Sequence, residues 1–144
     1  MTLSVLSPRE ASIFACLCDT FVAPADGLPP VRETDAVTFF DSWLARAPRL
    51  NRVGLRAMLY ATELLPVAAG KRRRLRALDE RGRAAALDAF ERSRHSEVRQ
   101  ILRVLKGMAF LSYYGDDSVM GLLGYDADAN VARGRELRRL EGRP

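Results

Sequence analysis

Between Ser96 and Tyr113 the chain sets Val98, Ile101, Leu102, Leu105, Met108, Ala109 and Leu111 or Ser112 at intervals of three and four. That is the period of an α-helix, and it gathers these residues on one side of a rod, with Arg99, Arg103 and Lys106 on the opposite side. A stripe this long has to be covered, and the chain offers mainly other helices for the purpose. Strand formers are sparse, while Ala, Leu and Arg dominate, a bias that favours helix. The expectation is an all-α fold: a single domain built as an irregular bundle of about five main helices.

Proline and glycine divide the remainder. Ser7 can cap a first helix, with Pro8 at its first position and Glu10 three after the cap. Ile13, Phe14, Leu17, Cys18 and Phe21 form its stripe, and Pro24 ends it. The segment to Thr34 carries Gly27 and Pro29-Pro30 and reads as an ordered loop. A second helix begins with Thr34 or Asp35 as cap and covers Ala36 to about Ala45. Val37, Phe40 and Leu44 share one side; Phe39 and Trp43 widen it, which suggests burial on two sides or against a partner. Pro48 breaks the chain. A third helix from Asn51 to about Leu65 has little polar surface and is expected to be central, closed by Pro66 and Gly70. Asp79 caps a fourth helix to about Arg92, with Leu87 and Phe90 inward and Gly82 weakening its first turn. Its Asp88 and Arg92 can pair outward for ~0.3 kcal/mol. Gly115 stops the long helix. Asp116 or Asp117 then caps a short turn, Ser118 to Leu123, ended by Gly124. Residues 1–126 thus form the helical domain. Residues 127–144 read as a charged, loosely ordered tail in which Val131 to Leu140 form a frayed helix.

At 144 residues, with 48% apolar and 28% charged side chains, the chain fits one soluble globular domain. Its net charge of +5 is almost all arginine, since Lys71 and Lys106 are the only lysines. Arginine suits planar contacts with carboxylates or phosphates, although codon bias in a GC-rich genome gives the same excess and is the preferred explanation. Cys16 and Cys18 lie two apart on a helix, so their side chains diverge and a disulfide between them is disfavoured. They are too few for a zinc site and read as small apolar residues. The first six residues do not make a signal peptide, and no apolar run approaches a membrane span.

The search for chemistry excludes more than it finds. His95, the single histidine, has arginines around it and only Glu91 within a helical turn, and it reads as a surface residue. Asp126-x-Asp128-x-Asn130 begins like a calcium loop, but Val131 and Leu137 occupy the positions that need glycine and glutamate. Gly121-Leu122-Leu123-Gly124 lacks the basic residues of a phosphate clamp. Lys71 to Arg76 holds five basic residues in six positions and would attract phosphates, yet no aromatic residue interleaves it for base stacking. A basic helical module that binds nucleic acid is therefore the alternative, not the leading reading. Tyr113 is expected in the core, and Tyr125, beyond a glycine, at an interface.

Two stretches carry a resemblance. Leu6, Ser7 and Glu10 lead into Asp19-Thr20-Phe21-Val22-Ala23-Pro24-Ala25-Asp26-Gly27 and then Pro29; Tyr113-Tyr114 is followed by Leu123-Gly124-Tyr125. Over about residues 6 to 126 the chain resembles the gluconate 2-dehydrogenase subunit 3 family, small helical subunits of flavin-dependent dehydrogenases of the glucose-methanol-choline type. A related region precedes the catalytic part of long-chain alcohol oxidases. The resemblance implies an accessory, non-catalytic subunit with no cofactor of its own. The FAD would reside in a large oxidoreductase partner acting on sugars, glycosides or alcohols, and a cytochrome c is a further companion it allows. Members often carry a twin-arginine export signal, which this chain lacks. The implied location is the cytoplasm, or export with a signal-bearing partner. The arginine-rich tail lies outside the family pattern. The residues expected to meet the partner are Pro24, Asp26, Pro29 and Pro30 on a proline-stiffened loop, with Phe39, Trp43, Tyr114 and Tyr125 as aromatic contacts.

Overall fold

Seven α-helices follow one another without a strand among the described residues, 3–140 and 142 of the computed structural model. They are α1 (Pro8–Val22), α2 (Ala36–Arg46), α3 (Arg49–Ala68), α4 (Glu80–Glu91), α5 (Ser96–Tyr114), α6 (Asp117–Leu122) and α7 (Ala127–Leu140). Single 3-10 turns at Val31–Glu33 and Leu75–Ala77 punctuate the loops. The five main helices of the bundle are α1 to α5, and no helix among the described residues is long and apolar enough to cross a membrane.

The hub is the pair α1 and α5, which pack on each other most extensively and each on α2, α3 and α4. Ile13, Phe14, Leu17 and Cys18 are wholly buried, and Phe14 stacks on Phe40 of α2 with ring centroids 3.9 Å apart. Leu102, Leu105, Ala109 and Tyr113 of α5 close the same core, with Leu44, Leu59 and Leu75 from other elements. Each fully buried Leu or Phe contributes about 1.5–3 kcal/mol. The expectation that the third helix is central is corrected: α3 buries only Leu55, Leu59, Thr62, Glu63 and Pro66, while Leu50, Val53, Leu64 and Val67 face solvent. Its apolar residues encircle the helix, but only one stripe finds neighbours. On α5 the same rule makes Ser112, not Leu111, the buried position.

The ends of the helices explain most differences from the expected boundaries. Ser7 and Glu10 form the expected reciprocal cap of α1. Its exit is at Ala23, which adopts a left-handed conformation (φ 43). Asp35 stands before α2 but its side chain caps nothing; Thr34 Oγ1 accepts the Ala36 N–H instead. The third helix starts at Arg49, directly after Pro48, whose carbonyl accepts the Arg52 N–H (3.0 Å). Asn51 therefore lies within the first turn and is not the cap. Pro66 does not close α3, because residues beyond it keep their own amide donors. The helix ends where Gly70 (φ 85) lets its N–H reach the Val67 carbonyl and the Lys71 N–H reach that of Pro66, the two bonds of a Schellman ending. Gly124 (φ 68) closes α6 the same way, with Tyr125 N–H on Met120. Asp79 caps α4 through the Gly82 N–H (2.9 Å), and a Cβ on Gly82 would meet that carboxylate at 2.6 Å. Gly82 makes room for the cap of the turn it was expected to weaken. The Asp88–Arg92 pair forms. In the tail, α7 starts at Ala127, four residues before the expected Val131, because Asp126 Oδ1 accepts the Ala129 N–H (2.9 Å). Asp126 thus caps a helix where the spacing imitated a calcium loop. Apart from Gly134, every residue of α7 whose exposure is described faces solvent.

Candidate functional site

The bundle holds three carboxylates on helix faces that are otherwise apolar. Glu10, Asp41 and Glu63 each fall at a stripe position of α1, α2 and α3, and each is nearly inaccessible. A buried carboxylate persists only when paired and hydrogen-bonded. Glu10 takes Arg56 in a two-pronged pair, Nε to Oε1 at 2.8 Å and Nη2 to Oε2 at 3.2 Å, while the Ser7 amide and hydroxyl donate to Oε2. Burial alone would raise its pKa, but Arg56 and Ser7 outweigh it and hold the carboxyl below the ordinary value of 4.5. Asp41 accepts the backbone amides of Ser4 (2.6 Å), Val5 (3.0 Å) and Leu6 (2.7 Å). Here too burial acts upward and the amides prevail, leaving the carboxyl below 3.8. Glu63 meets Arg76: Nε to Oε1 at 3.0 Å and the Arg76 backbone N–H to Oε2 at 3.3 Å, with Arg76 Nη1 continuing to Ser12 Oγ. The last cation of the 71–76 run therefore serves the fold; Lys71, Arg72, Arg73 and Arg74 remain exposed.

The two stretches that carry the family resemblance meet at the end of α5. Tyr113 is wholly buried, as expected, and its hydroxyl donates to the Pro29 carbonyl at 2.6 Å, across 84 residues. Burial raises its pKa, with Tyr114 and Asp116 adding to the effect, so the hydroxyl stays a donor. Beside this clasp, Asp116 Oδ2 accepts the Asp35 N–H (2.8 Å), and its Oδ1 accepts the Ser118 N–H, the Ser118 hydroxyl and the Val119 N–H. Burial of Asp116 acts upward, and these donors outweigh it to lower the pKa. The α5–α6 corner is thereby locked to the start of α2. At the corner itself, a Cβ on Gly115 would sit 2.6 Å from the Leu111 carbonyl. Changing Tyr113 to Phe should lower stability by about 1–2 kcal/mol, the cost of leaving the Pro29 carbonyl unpaired. Urea unfolding measures it, with Tyr114→Phe as the near-neutral control; equal midpoints would show that the clasp contributes nothing.

A depression of about 870 Å³ opens between these locked segments. Phe39, half-buried, stands on its wall, with Asp35, Asp116 and Asp117 around it and Ser112 among its lining residues. The other expected contact residues lie elsewhere. Pro24, half-buried, lines a hollow of about 490 Å³ with Asp19, Arg32, Glu80 and Arg83. Asp26 is exposed beside Gly27; Pro29 and Pro30 are half-buried, and the Pro30 carbonyl accepts the Glu33 N–H (2.9 Å). Trp43 lines an apolar groove of about 300 Å³ with Leu50, Met58, Val104 and Met108, where Leu50 is 82% exposed. Tyr114 is partly exposed and stands edge-on to Tyr113 at 5.1 Å; Tyr125 is 54% exposed. The eight residues therefore spread over several surfaces, and of them only Phe39 lines the main cleft.

Groups weighed for chemistry stand apart. His95 is exposed ahead of α5 and its ring caps nothing. Cys18 is buried and its thiol pKa is pushed far up by desolvation, with Asp19 and Cys16 adding to it. Cys16 is half-buried and free. Among the described residues no group of three His, Cys, Asp or Glu side chains is placed to hold a metal ion. No family model matches this chain, and comparison with curated proteins and with solved structures finds no match.

Proposed function

We propose that this chain is a non-catalytic small subunit that binds, stabilises or helps mature a large FAD-dependent oxidoreductase of the glucose-methanol-choline type. The flavin and the hydride chemistry belong to that partner, whose substrates are sugars, glycosides or alcohols; a cytochrome c is an optional third member. The observation that carries the reading is the clasp between Tyr113 and Pro29. It ties the two segments that resemble the subunit 3 family to each other, and the prolines of the first reduce the entropy lost on docking. The nucleic-acid alternative is weakened, because Arg76 is spent on Glu63.

The proposal predicts a neighbouring gene for a large FAD-binding oxidoreductase, and co-expression with that protein tests it. A tagged copy of this chain should retrieve a yellow complex of fixed stoichiometry in native mass spectrometry. Retrieval of the tagged chain alone, while the flavoprotein stays soluble in the same lysate, would sink it. The location follows the partner: the cytoplasm, or export alongside it.

A further inference from the structure

We propose that the cleft between the start of α2 and the α5–α6 corner receives an arginine-bearing segment of the partner protein, an inference that rests on the small-subunit reading. The chain as a whole carries +5, yet this cleft gathers Glu33, Asp35, Asp116 and Asp117 against a single Arg32. The rim is thus negative on a positive molecule, which steers cationic groups toward it.

The four carboxylates are not equivalent. Glu33 faces Arg32. Asp116 is saturated by its four donors and sets the positions of its neighbours. Asp35 and Asp117 make no side-chain hydrogen bond among the described residues and cap neither α2 nor α6 through their side chains. They are free to accept from an incoming cation. A second, independent feature points the same way. Ser112 lines the cleft at 1% exposure, and its Oγ has no hydrogen-bond partner among the described residues. A buried hydroxyl is normally paired; this one lies unpaired beneath the cleft.

Arginine fits better than lysine. Its planar fork can bridge two carboxylates, it is more weakly hydrated, and its face stacks on an aromatic ring. Phe39 offers such a ring on the wall. The volume of about 870 Å³ exceeds one side chain, so the occupant is a short segment.

The test is the double change Asp35→Asn with Asp117→Asn, which removes charge and keeps shape. Affinity for the flavoprotein, measured by biolayer interferometry, should fall at least about tenfold, and the salt dependence of binding should flatten. Unchanged affinity would overturn the cleft assignment and leave the small-subunit reading intact. If the unaltered chain binds no flavoprotein, that reading falls, and the cleft is judged alone by titrating the full chain with a hexa-arginine peptide. Amide resonances of Ser112 and Phe39 should move in the unaltered chain and not in the double variant. Resonances that stay still in both overturn the inference. A full chain with Arg133, Arg135, Arg138 and Arg139 changed to Gln that binds the peptide more tightly would identify the arginines of α7 as the occupant and overturn the partner assignment.

Discussion

Changing Arg76 to alanine should lower folding stability by about 3 kcal/mol, the low end of the range for stripping one partner from a buried ion pair. The low end applies because Arg76 keeps 28% side-chain exposure while Glu63 keeps 2%. Without the guanidinium, Glu63 retains one backbone donor at 3.3 Å and no counter-charge. Ser12 on α1 also loses its contact, so α1, α3 and the turn at Leu75–Ala77 loosen together. Urea unfolding of the two chains measures the difference. Two companions sharpen the result. Changing Arg72, Arg73 and Arg74 together to alanine should cost no more than about 0.5 kcal/mol per site, as exposed substitutions do. Replacing both Arg76 and Glu63 by leucine should recover most of the loss, since no charge is then left buried. A drop under about 1 kcal/mol in Arg76→Ala would mean that Glu63 reaches water once freed.

Asp41→Ala should cost a similar amount, about 3 kcal/mol, by a different route. Three successive backbone amides lose a charged acceptor, each such bond being worth about 1.5–3 kcal/mol. The sum is trimmed because only the Leu6 amide is fully buried; those of Ser4 and Val5 can turn to water. Hydrogen exchange at residues 4–6 should accelerate, and the unfolding midpoint should fall. The pH dependence has a definite sign. The Asp41 pKa is lowered in the folded chain, so its contribution is full above the ordinary value of 3.8 and fades as pH falls through the lower folded value. The gap between the two chains should therefore hold steady from neutrality down to that region and narrow below it. A gap that widens in acid would refute the assignment.

These charged anchors mark where sequence reading stopped short. Apolar periodicity located α1, α2, α4 and α5, and the Ser7–Glu10 cap was legible because its bonds are local. Asp41 lies on the stripe of Phe40 and Leu44, and Glu63 on that of Leu59 and Pro66. An acid at such a position is itself a signal of a buried partner. Identifying the partner was out of reach, since Arg76 is thirteen residues from Glu63 and the amides that hold Asp41 are about thirty-six away. Asp116 looked like a local cap and is one; its second task, holding the Asp35 amide, spans 81 residues. The main cleft was illegible for the same reason. It is lined by residues 32–39 and 112–118, which no local pattern relates. Centrality misled because apolar content was read as burial: α3 is rich in apolar residues, yet α1 and α5 have the neighbours.

The bond from Tyr113 to Pro29 also fixes an order of events. A nascent chain leaves the ribosome from its amino end, so the proline loop emerges long before the hydroxyl that fastens it. Until α5 is synthesised and seated against α1, that loop keeps only its own local turns and lacks the long-range bond that fastens it. The surface proposed to meet a companion protein therefore takes its final form only after Tyr113 has been made, and recognition during translation would have to wait until then.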